Sequence, residues 1–176
     1  SVLNVKDVGQ FQTFVKMCAS RVGQLVHLSA LAQDCGITHN TAKAWISVLE
    51  SSGIVFLLKP YHNNFGKRLV KSPKLYFVGS GLVCRLLGIK DAEQLFMHPI
   101  RGNIFESYVV AEMVKNRLNE GLSPELYFWR DNIGNEVDVV YEDGPVVRSV
   151  EIKSGKTLSA EFISGLETWM RFSGGE

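Results

Sequence analysis

The amino-acid sequence predicts a mixed α/β (α+β) protein with two lobes. Its 176 residues are enough for one ordinary domain or two small ones. Apolar residues make up 45% of the chain and charged residues 21%, a composition typical of folded globular proteins. The charge divides unevenly, because residues 1–97 are basic and residues 98–176 are acidic. This asymmetry, together with the change from helical to strand-like apolar patterns along the chain, favours two lobes over one.

The front lobe, residues 1–90, has the pattern of a helix-turn-helix followed by two extended stretches. Gly36 is placed where a short helix ends, and Thr38 or Asn40 can cap the helix that follows. Two strands after a helix-turn-helix form a wing, so we predict a winged-helix module. We expect helices over 8–22, 29–35 and 41–51, strands over 54–58 and 74–78, and a short helix over 81–87.

The rear lobe, residues 100–176, has the pattern of a helix, a three-stranded meander and a final helix. The preceding stretch, 88–102, shows no sustained apolar period, so we place the lobe boundary there. We therefore expect limited proteolysis to cut first between residues 90 and 101. The predicted elements are a helix over 103–118, strands over 126–129, 136–141 and 146–153, and a helix over 159–172.

Several classes of function are disfavoured by features that the sequence lacks. The three cysteines, Cys18, Cys35 and Cys84, are odd in number and have no metal-ligand spacing, so we expect buried thiols in a reducing cytoplasm. No stretch approaches the roughly 18 apolar residues of a membrane span, and no secretory leader is present, so we expect a cytoplasmic protein without a membrane partner. A GxxxxGK[ST] phosphate loop does not occur, so this chain is not expected to bind ATP.

Acidic residues and a lysine fall on common faces of two neighbouring strands. Asp138 shares a face with Glu136 on the second strand of the meander, and Glu151 shares a face with Lys153 on the third. If the strands pair as a hairpin, Asp138 and Glu151 meet, and two carboxylates with open water positions suit Mg²⁺ or Mn²⁺. The pattern Glu-x-Lys is also typical of a solvated sheet face or a surface ion pair, and the spacing alone leaves both interpretations open. Arg130 either contacts phosphate or pairs with a nearby acid.

The order of motifs along the chain resembles one known family. The strand pair, GNEVDVV at 134–140 and SVEIKSG at 149–155, resembles the core of the PD-(D/E)XK nuclease superfamily. Further resemblance lies in SPKLYF at 72–77, GNIFESYVVAE at 102–112 and LYFWR at 126–130. Together these motifs resemble prokaryotic proteins that carry an AAA+ ATPase domain, a helix-turn-helix and a restriction-endonuclease-like C-terminal region.

The resemblance implies roles for individual residues. It implies a PD-(D/E)XK nuclease-like rear lobe, incomplete at its C-terminus, with a catalytic centre of Glu106, Asp138, Glu151 and Lys153. Asp138 and Glu151 are then the metal ligands, Glu106 completes or orders the metal's surroundings, and Lys153 stabilises developing charge. An ATPase domain is expected upstream. Where the family usually has an acid after the Tyr-Phe pair, this chain reads VGS at 78–80, so any role of that acid is missing here.

Basic residues in and near the wing form the predicted nucleic-acid contact. Phosphate contact is the interpretation that the basic front lobe favours, with DNA as the expected partner, whereas a solvated basic loop is the alternative. Two rival functions stay open beside metal-dependent phosphodiester hydrolysis: a non-catalytic module that binds DNA or protein, and a transcriptional regulator built on the winged helix. The predicted contact residues are Lys43, Lys67, Arg68, Lys71 and Lys74.

Overall fold

The computed structural model of the protein describes residues 8–61, 70–155 and 163–173. Within these ranges the chain forms seven helices and one five-stranded mixed sheet, which confirms the α+β class. None of the described helices is both long and apolar enough to cross a membrane. The elements are α1 (Val8–Ala19), α2 (Leu28–Asp34), α3 (His39–Ser51), β1 (Val55–Pro60), β2 (Lys74–Phe77), α4 (Ser80–Leu86), α5 (Ala92–Met97), α6 (Arg101–Asn119), β3 (Tyr127–Arg130), β4 (Glu136–Asp143), β5 (Val146–Val150) and α7 (Ser164–Ser173).

The three N-terminal helices form where the apolar spacing predicts them. Thr38 caps α3, because its hydroxyl accepts a hydrogen bond from the backbone N–H of Thr41 at 3.1 Å. Phe14 of α1 is fully buried and contacts Trp45 of α3 edge to face, with ring centroids 5.3 Å apart. Cys18 is buried in the same core, and burial raises the pKa of its thiol to about 12. These helices therefore pack around one apolar core.

The sheet has the strand order β2-β1-β3-β4-β5 and crosses the predicted lobe boundary. β1 pairs antiparallel with β2, as expected for a wing, but its other edge pairs in parallel with β3, with Lys59 opposite Tyr127. The backbone N–H of Tyr61 extends this contact by donating to the carbonyl of Phe128 at 2.7 Å. β1 and β2, which were predicted to belong to the front lobe alone, are thus also part of the rear lobe's sheet. The pairing with β3 satisfies backbone groups on the edge of β1 that would otherwise be unpaired.

Front and rear parts of the chain also share a hydrophobic core. Leu58 of β1 and Tyr76 of β2 are buried beside Val110 of α6 and Phe128 of β3. Between the two parts lies α5, a helix that the sequence analysis does not predict. Its six residues are too few to show an apolar period, but Asp91 caps it by accepting a hydrogen bond from the N–H of Gln94 at 2.8 Å.

Helix α7 covers one face of the sheet at β4. Trp169 of α7 is buried against Trp129 of β3, with ring centroids 5.6 Å apart. Gly165 brings the helix very close to the strand, since a Cβ atom at this position would lie 2.1 Å from the carbonyl oxygen of Glu136. Any larger residue at Gly165 would therefore force α7 away from β4, the strand that carries Glu136 and Asp138.

Candidate active site

The turn between β3 and β4 fixes the start of the strand that carries the site. Asp131 is buried, and its carboxylate accepts hydrogen bonds from the N–H of Ile133 at 3.0 Å and from the backbone and side-chain nitrogens of Asn135 at 2.9 and 2.7 Å. Burial raises the pKa of Asp131, but these hydrogen bonds outweigh it, so the pKa is lowered overall. The turn is thus held by an ionised carboxylate, and β4 begins directly after it.

Asp138 lies on β4 and is almost completely buried, with 5% of its surface exposed. The register of β4 and β5 places Val139 opposite Val150, so the chain after Val150 runs beside Asp138. Asp138 Oδ2 accepts a hydrogen bond from the backbone N–H of Ile152 at 2.8 Å. This bond ties Asp138 to the segment that contains Glu151 and Lys153.

The structure brings Asp138, Glu151 and Lys153 together. The Lys153 ammonium nitrogen lies 2.5 Å from Glu151 Oε1 and 3.8 Å from Asp138 Oδ2. Both carboxylates therefore lie near the Lys153 ammonium, on the same side of the sheet. Two carboxylates must lie on one side in this way to share a metal ion. The chemical roles of the three residues stay predictions.

Lys74 occupies an unexpected place at the centre of this cluster. Only 3% of its surface is exposed, and its ammonium lies 2.9 Å from Glu106 Oε1, in contact with Glu136, and 3.8 Å from Asp138 Oδ1. The prediction that Lys74 contacts a nucleic-acid backbone is wrong for this reason: the ammonium is buried and already surrounded by carboxylates. Sequence reasoning took this residue for a surface charge of the wing.

Glu106, on α6, faces Lys74 and Tyr76. Its Oε1 atom accepts hydrogen bonds both from the Lys74 ammonium and from the Tyr76 hydroxyl, the latter at 2.5 Å. Lys74 and Tyr76 are two residues apart on β2 and so project to the same face. The sequence signal that sequence analysis missed is this spacing, together with a lysine at the start of an otherwise apolar strand. Glu106 of α6 thus joins the cluster through its contacts with Lys74 and Tyr76 of β2.

Burial and charge shift several pKa values in the cluster. Burial raises the pKa of Glu106 and of Glu151 above the ordinary value of 4.5, and the neighbouring lysines offset this only in part. For Lys74 burial lowers the pKa, but the charges of Glu106, Glu136 and Asp138 outweigh it and raise the pKa overall. The three carboxylates thus favour a charged ammonium at Lys74, whereas burial disfavours the charged form of Glu151.

The balance of charges leaves room for a cation. Arg130 contributes a third positive group from the rim, with Nη1 3.1 Å from Glu136 Oε2. Among the residues that the structure describes, four carboxylates stand against these groups, one more than the cations. The Glu151 Oε2 atom is buried and has no hydrogen-bond partner among the described residues. An unpaired buried acceptor of this kind costs free energy unless a donor or cation meets it. The carboxylates are Glu106, Glu136, Asp138 and Glu151, and the positive groups are Lys74, Lys153 and Arg130.

The ligands present suit a metal that keeps most of its water. In the described part of the chain, no group of three or more His, Cys, Asp or Glu side chains is arranged to hold a metal ion. Two carboxylates, those of Asp138 and Glu151, are the available pair. Mg²⁺ is commonly held by one or two carboxylates together with water, so the pair fits Mg²⁺ or Mn²⁺ better than a metal that needs a full protein cage.

Two other predicted contact residues, Lys43 and Lys71, lie apart from this cluster. Lys43 of α3 and Lys71 line one groove of about 590 Å³ between α2, α3 and the strands, together with His27 and His39. Two further predicted contacts, Lys67 and Arg68, lie outside the described residues.

Comparison with known proteins assigns the chain to a family. Residues 1–93 match a domain of unknown function (DUF8612), and residues 101–174 match a second domain of unknown function (DUF4143). The first match covers more than half of the chain, so the chain belongs to the DUF8612 family, and it carries a DUF4143 match after it.

Two mycobacterial proteins are similar to most of the chain. Uncharacterized proteins of Mycobacterium bovis and Mycobacterium tuberculosis are each 33% identical to it over 144 residues. The matched region covers 81% of this chain and 32% of each relative, so the chain corresponds to about a third of the relatives' length. The search of solved structures found no match.

Proposed function

We propose that the chain is a nucleic-acid-processing region with a PD-(D/E)XK nuclease-like site, in which Asp138 and Glu151 hold Mg²⁺ or Mn²⁺. The observation that carries this proposal is the buried, unpartnered Glu151 Oε2 atom on the same side of the sheet as Asp138 and Lys153. A cation at this place would satisfy the unpartnered oxygen and would balance the excess negative charge of the cluster.

The other residues of the site have supporting tasks in this proposal. When bound, the metal supplies Lewis-acid polarisation of a phosphoryl oxygen and a more acidic water. Lys153, with 39% of its side chain exposed, presents an ammonium to solvent beside the carboxylates, where it can stabilise negative charge on a phosphodiester. Glu106 and Lys74 hold Asp138 in place from the inner side.

The wider context of the proposal comes from the ordered motifs of the sequence. They favour a prokaryotic, cytoplasmic protein in which an AAA+ ATPase domain precedes this region, and the greater length of the mycobacterial relatives leaves space for such a domain. The helix-turn-helix formed by α2 and α3, followed by the antiparallel pair β1–β2, supports a winged-helix module.

Lys43 and Lys71 support DNA as the partner of that module. Both line one groove beside α3, the second helix of the helix-turn-helix, which is the element that enters the major groove in such modules. If they contact duplex phosphates, replacing both with glutamine should reduce the slope of log K against log salt by about two. An unchanged slope in the double variant, measured by fluorescence anisotropy with a labelled duplex, would refute the contact.

Calorimetry with Mn²⁺ tests the metal site directly. We expect the parent chain to bind Mn²⁺ and Asp138→Asn to bind little, because the amide keeps the size and can still accept the hydrogen bond from Ile152 but lacks the charge. Lys153→Ala should still bind Mn²⁺ and should lose only cleavage of a nucleic-acid substrate. Equal Mn²⁺ binding by the parent and Asp138→Asn would contradict the proposal.

A non-catalytic DNA- or protein-binding module is the second candidate. It is supported by Lys74, whose buried ammonium already neutralises part of the carboxylate cluster without any metal, and by the close Lys153–Glu151 pair. In that case the cluster is a structural ion-pair network. Absence of Mn²⁺ binding in the parent, combined with retained salt-dependent DNA binding, would favour this candidate over the nuclease-like one.

A further inference from the structure

A groove of about 650 Å³ opens next to Lys153, and Lys74 is not among the residues that line it. Helices α4, α5 and α6 form its walls, and the segment from Lys153 to Gly155 closes one end. The groove is therefore continuous with the candidate active site. Its lining residues that matter here are Phe96, Arg101, Phe105, Tyr108 and Lys153.

Aromatic rings are exposed along this groove to an unusual extent. Phe105 and Tyr108 are three residues apart on α6, so they lie on one face of the helix, with 39% and 49% of their surfaces exposed. Phe96 of α5 is 60% exposed, and the Arg101 guanidinium lies over its ring at 4.6 Å from the centroid. Exposed aromatic surface gathered in this way marks a binding site more often than a free surface.

The charges around the groove define what it can bind. Arg101 and Lys153 are the charged side chains that line it, and no carboxylate is among the lining residues described. A groove with rings on its walls and only positive charges is complementary to a ligand that combines flat apolar rings with negative groups. Unstacked nucleotides have this chemistry, because their bases stack on aromatic rings and on guanidinium planes while their phosphates meet cations.

We infer that the groove binds the unpaired bases of a single-stranded nucleic acid and guides the strand toward Lys153. This inference rests on the proposed function, since it assigns a substrate class to the same site. Phe105 and Tyr108 provide the stacking surfaces, and the Phe96–Arg101 pair provides a third. Inside a duplex each base is already stacked between its neighbours, so paired segments cannot place their bases on these rings.

Fluorescence anisotropy with a labelled oligothymidylate of about ten nucleotides tests the inference. The titration is run in EDTA, so neither a metal nor cleavage contributes to the result. We expect Phe105→Ala and Tyr108→Ala each to weaken binding roughly tenfold or more, and Tyr108→Phe to bind as the parent does, because it keeps the ring. Arg101→Gln should lower the salt slope by about 0.7.

The matched control is Ile133→Ala. Ile133 is 76% exposed and lies in the turn between β3 and β4, not in the groove, so its replacement should leave the oligonucleotide affinity unchanged. Far-UV circular dichroism and the urea midpoint of each variant establish that the chain is folded.

Three results would overturn the inference. They are unchanged oligonucleotide affinity in Phe105→Ala and Tyr108→Ala, an equal loss of affinity for a duplex of the same length, or a change in sedimentation that shows the rings hold a second copy of the chain instead. Failure of the proposed function would look different, because a parent chain that binds no Mn²⁺ can still show the ring-dependent anisotropy measured in EDTA.

Discussion

The two lysines of the carboxylate cluster differ in how completely the protein uses their charge. Lys74 is 3% exposed and contacts three carboxylates, those of Glu106, Glu136 and Asp138. Lys153 is 39% exposed and contacts two carboxylates, that of Glu151 at 2.5 Å and that of Asp138 at 3.8 Å. We refer to these as the inner half and the outer half of the cluster, and Asp138 lies between them.

We infer from this difference in exposure that the inner half is structural and that the outer half is available for chemistry. A buried ion pair is expensive to form and more expensive to break, so the inner half contributes mainly by holding β2, α6 and β4 in register. The outer half is open to solvent and keeps one buried carboxylate oxygen without a partner. We therefore expect substitutions in the inner half to change stability and substitutions in the outer half to change ligand binding.

Removing the inner cation should have the largest effect. Lys74→Met leaves three carboxylates near one another without their common partner, and loss of one member of a buried ion pair costs about 3–5 kcal/mol. Urea denaturation measures this loss. Lys115→Met is the matched control, because Lys115 pairs with Glu112 on the surface and should cost less than about 1 kcal/mol. Similar losses in both variants would abolish the distinction between the halves.

The pH dependence of stability should reveal Glu106. Burial raises the pKa of Glu106 in the folded state above 4.5, the ordinary value that applies to the unfolded chain. At pH values between the unfolded-state pKa and the folded-state pKa, the native state therefore holds a proton that the unfolded state has released. The free energy of unfolding therefore falls as pH rises through this window, by up to about 1.4 kcal/mol per pH unit for each such proton. Glu106→Gln should flatten the fall, while Glu151, whose pKa is raised too, keeps part of it. The dependence of the free energy of unfolding on pH is measured by urea denaturation at several pH values. The same dependence in Glu106→Gln as in the parent would argue against a raised pKa at Glu106.

Removing the outer cation should cost little. Lys153→Met breaks a pair that is partly solvated, and such pairs contribute about 1 kcal/mol or less. The urea midpoint should therefore stay near that of the parent. A loss as large as that of Lys74→Met would show that the outer half is also a structural ion pair.

Limited proteolysis should leave the molecule assembled. We expect the first cut between residues 90 and 101, and we expect the two fragments to stay together in gel filtration. The reason is that β1 pairs with β3 and that Lys74 from the front part contacts Glu106 from the rear part. Fragments that separate without denaturant would mean that the shared sheet and the inner ion pairs contribute little.

Most of the secondary structure was predictable because its signals are local. The apolar spacing of α1 and α3, the Thr38 cap and the alternation of β4 each lie within a few residues of chain. The pairing of β1 with β3 was not predictable in the same way, since it joins Lys59 to Tyr127 across more than sixty residues and leaves no local mark. Helix α5 was not predicted because its six residues, fewer than two turns, are too few to show a helical spacing of apolar residues.

The candidate site was predictable in part for the same reason. Asp138 lies on β4, and Glu151 and Lys153 follow directly after β5, the hairpin partner of β4, so a short turn and the register of the hairpin suffice to bring them together. Lys74 comes from β2, at the far edge of the sheet, and reaches Asp138 only through the packing of β2 against α6. Its burial depends on tertiary structure, and its position next to other basic residues in the sequence suggested a surface role instead.

We propose that the outer half of the cluster binds a divalent cation and that the inner half does not. Isothermal titration of Mn²⁺ into Glu151→Gln and into Glu106→Gln tests it most directly, because each change replaces one carboxylate with an amide of the same shape. We predict that Glu151→Gln loses Mn²⁺ binding at least tenfold, whereas Glu106→Gln keeps the affinity of the parent within a few-fold. The opposite order, or equal affinities in both variants, would contradict the account.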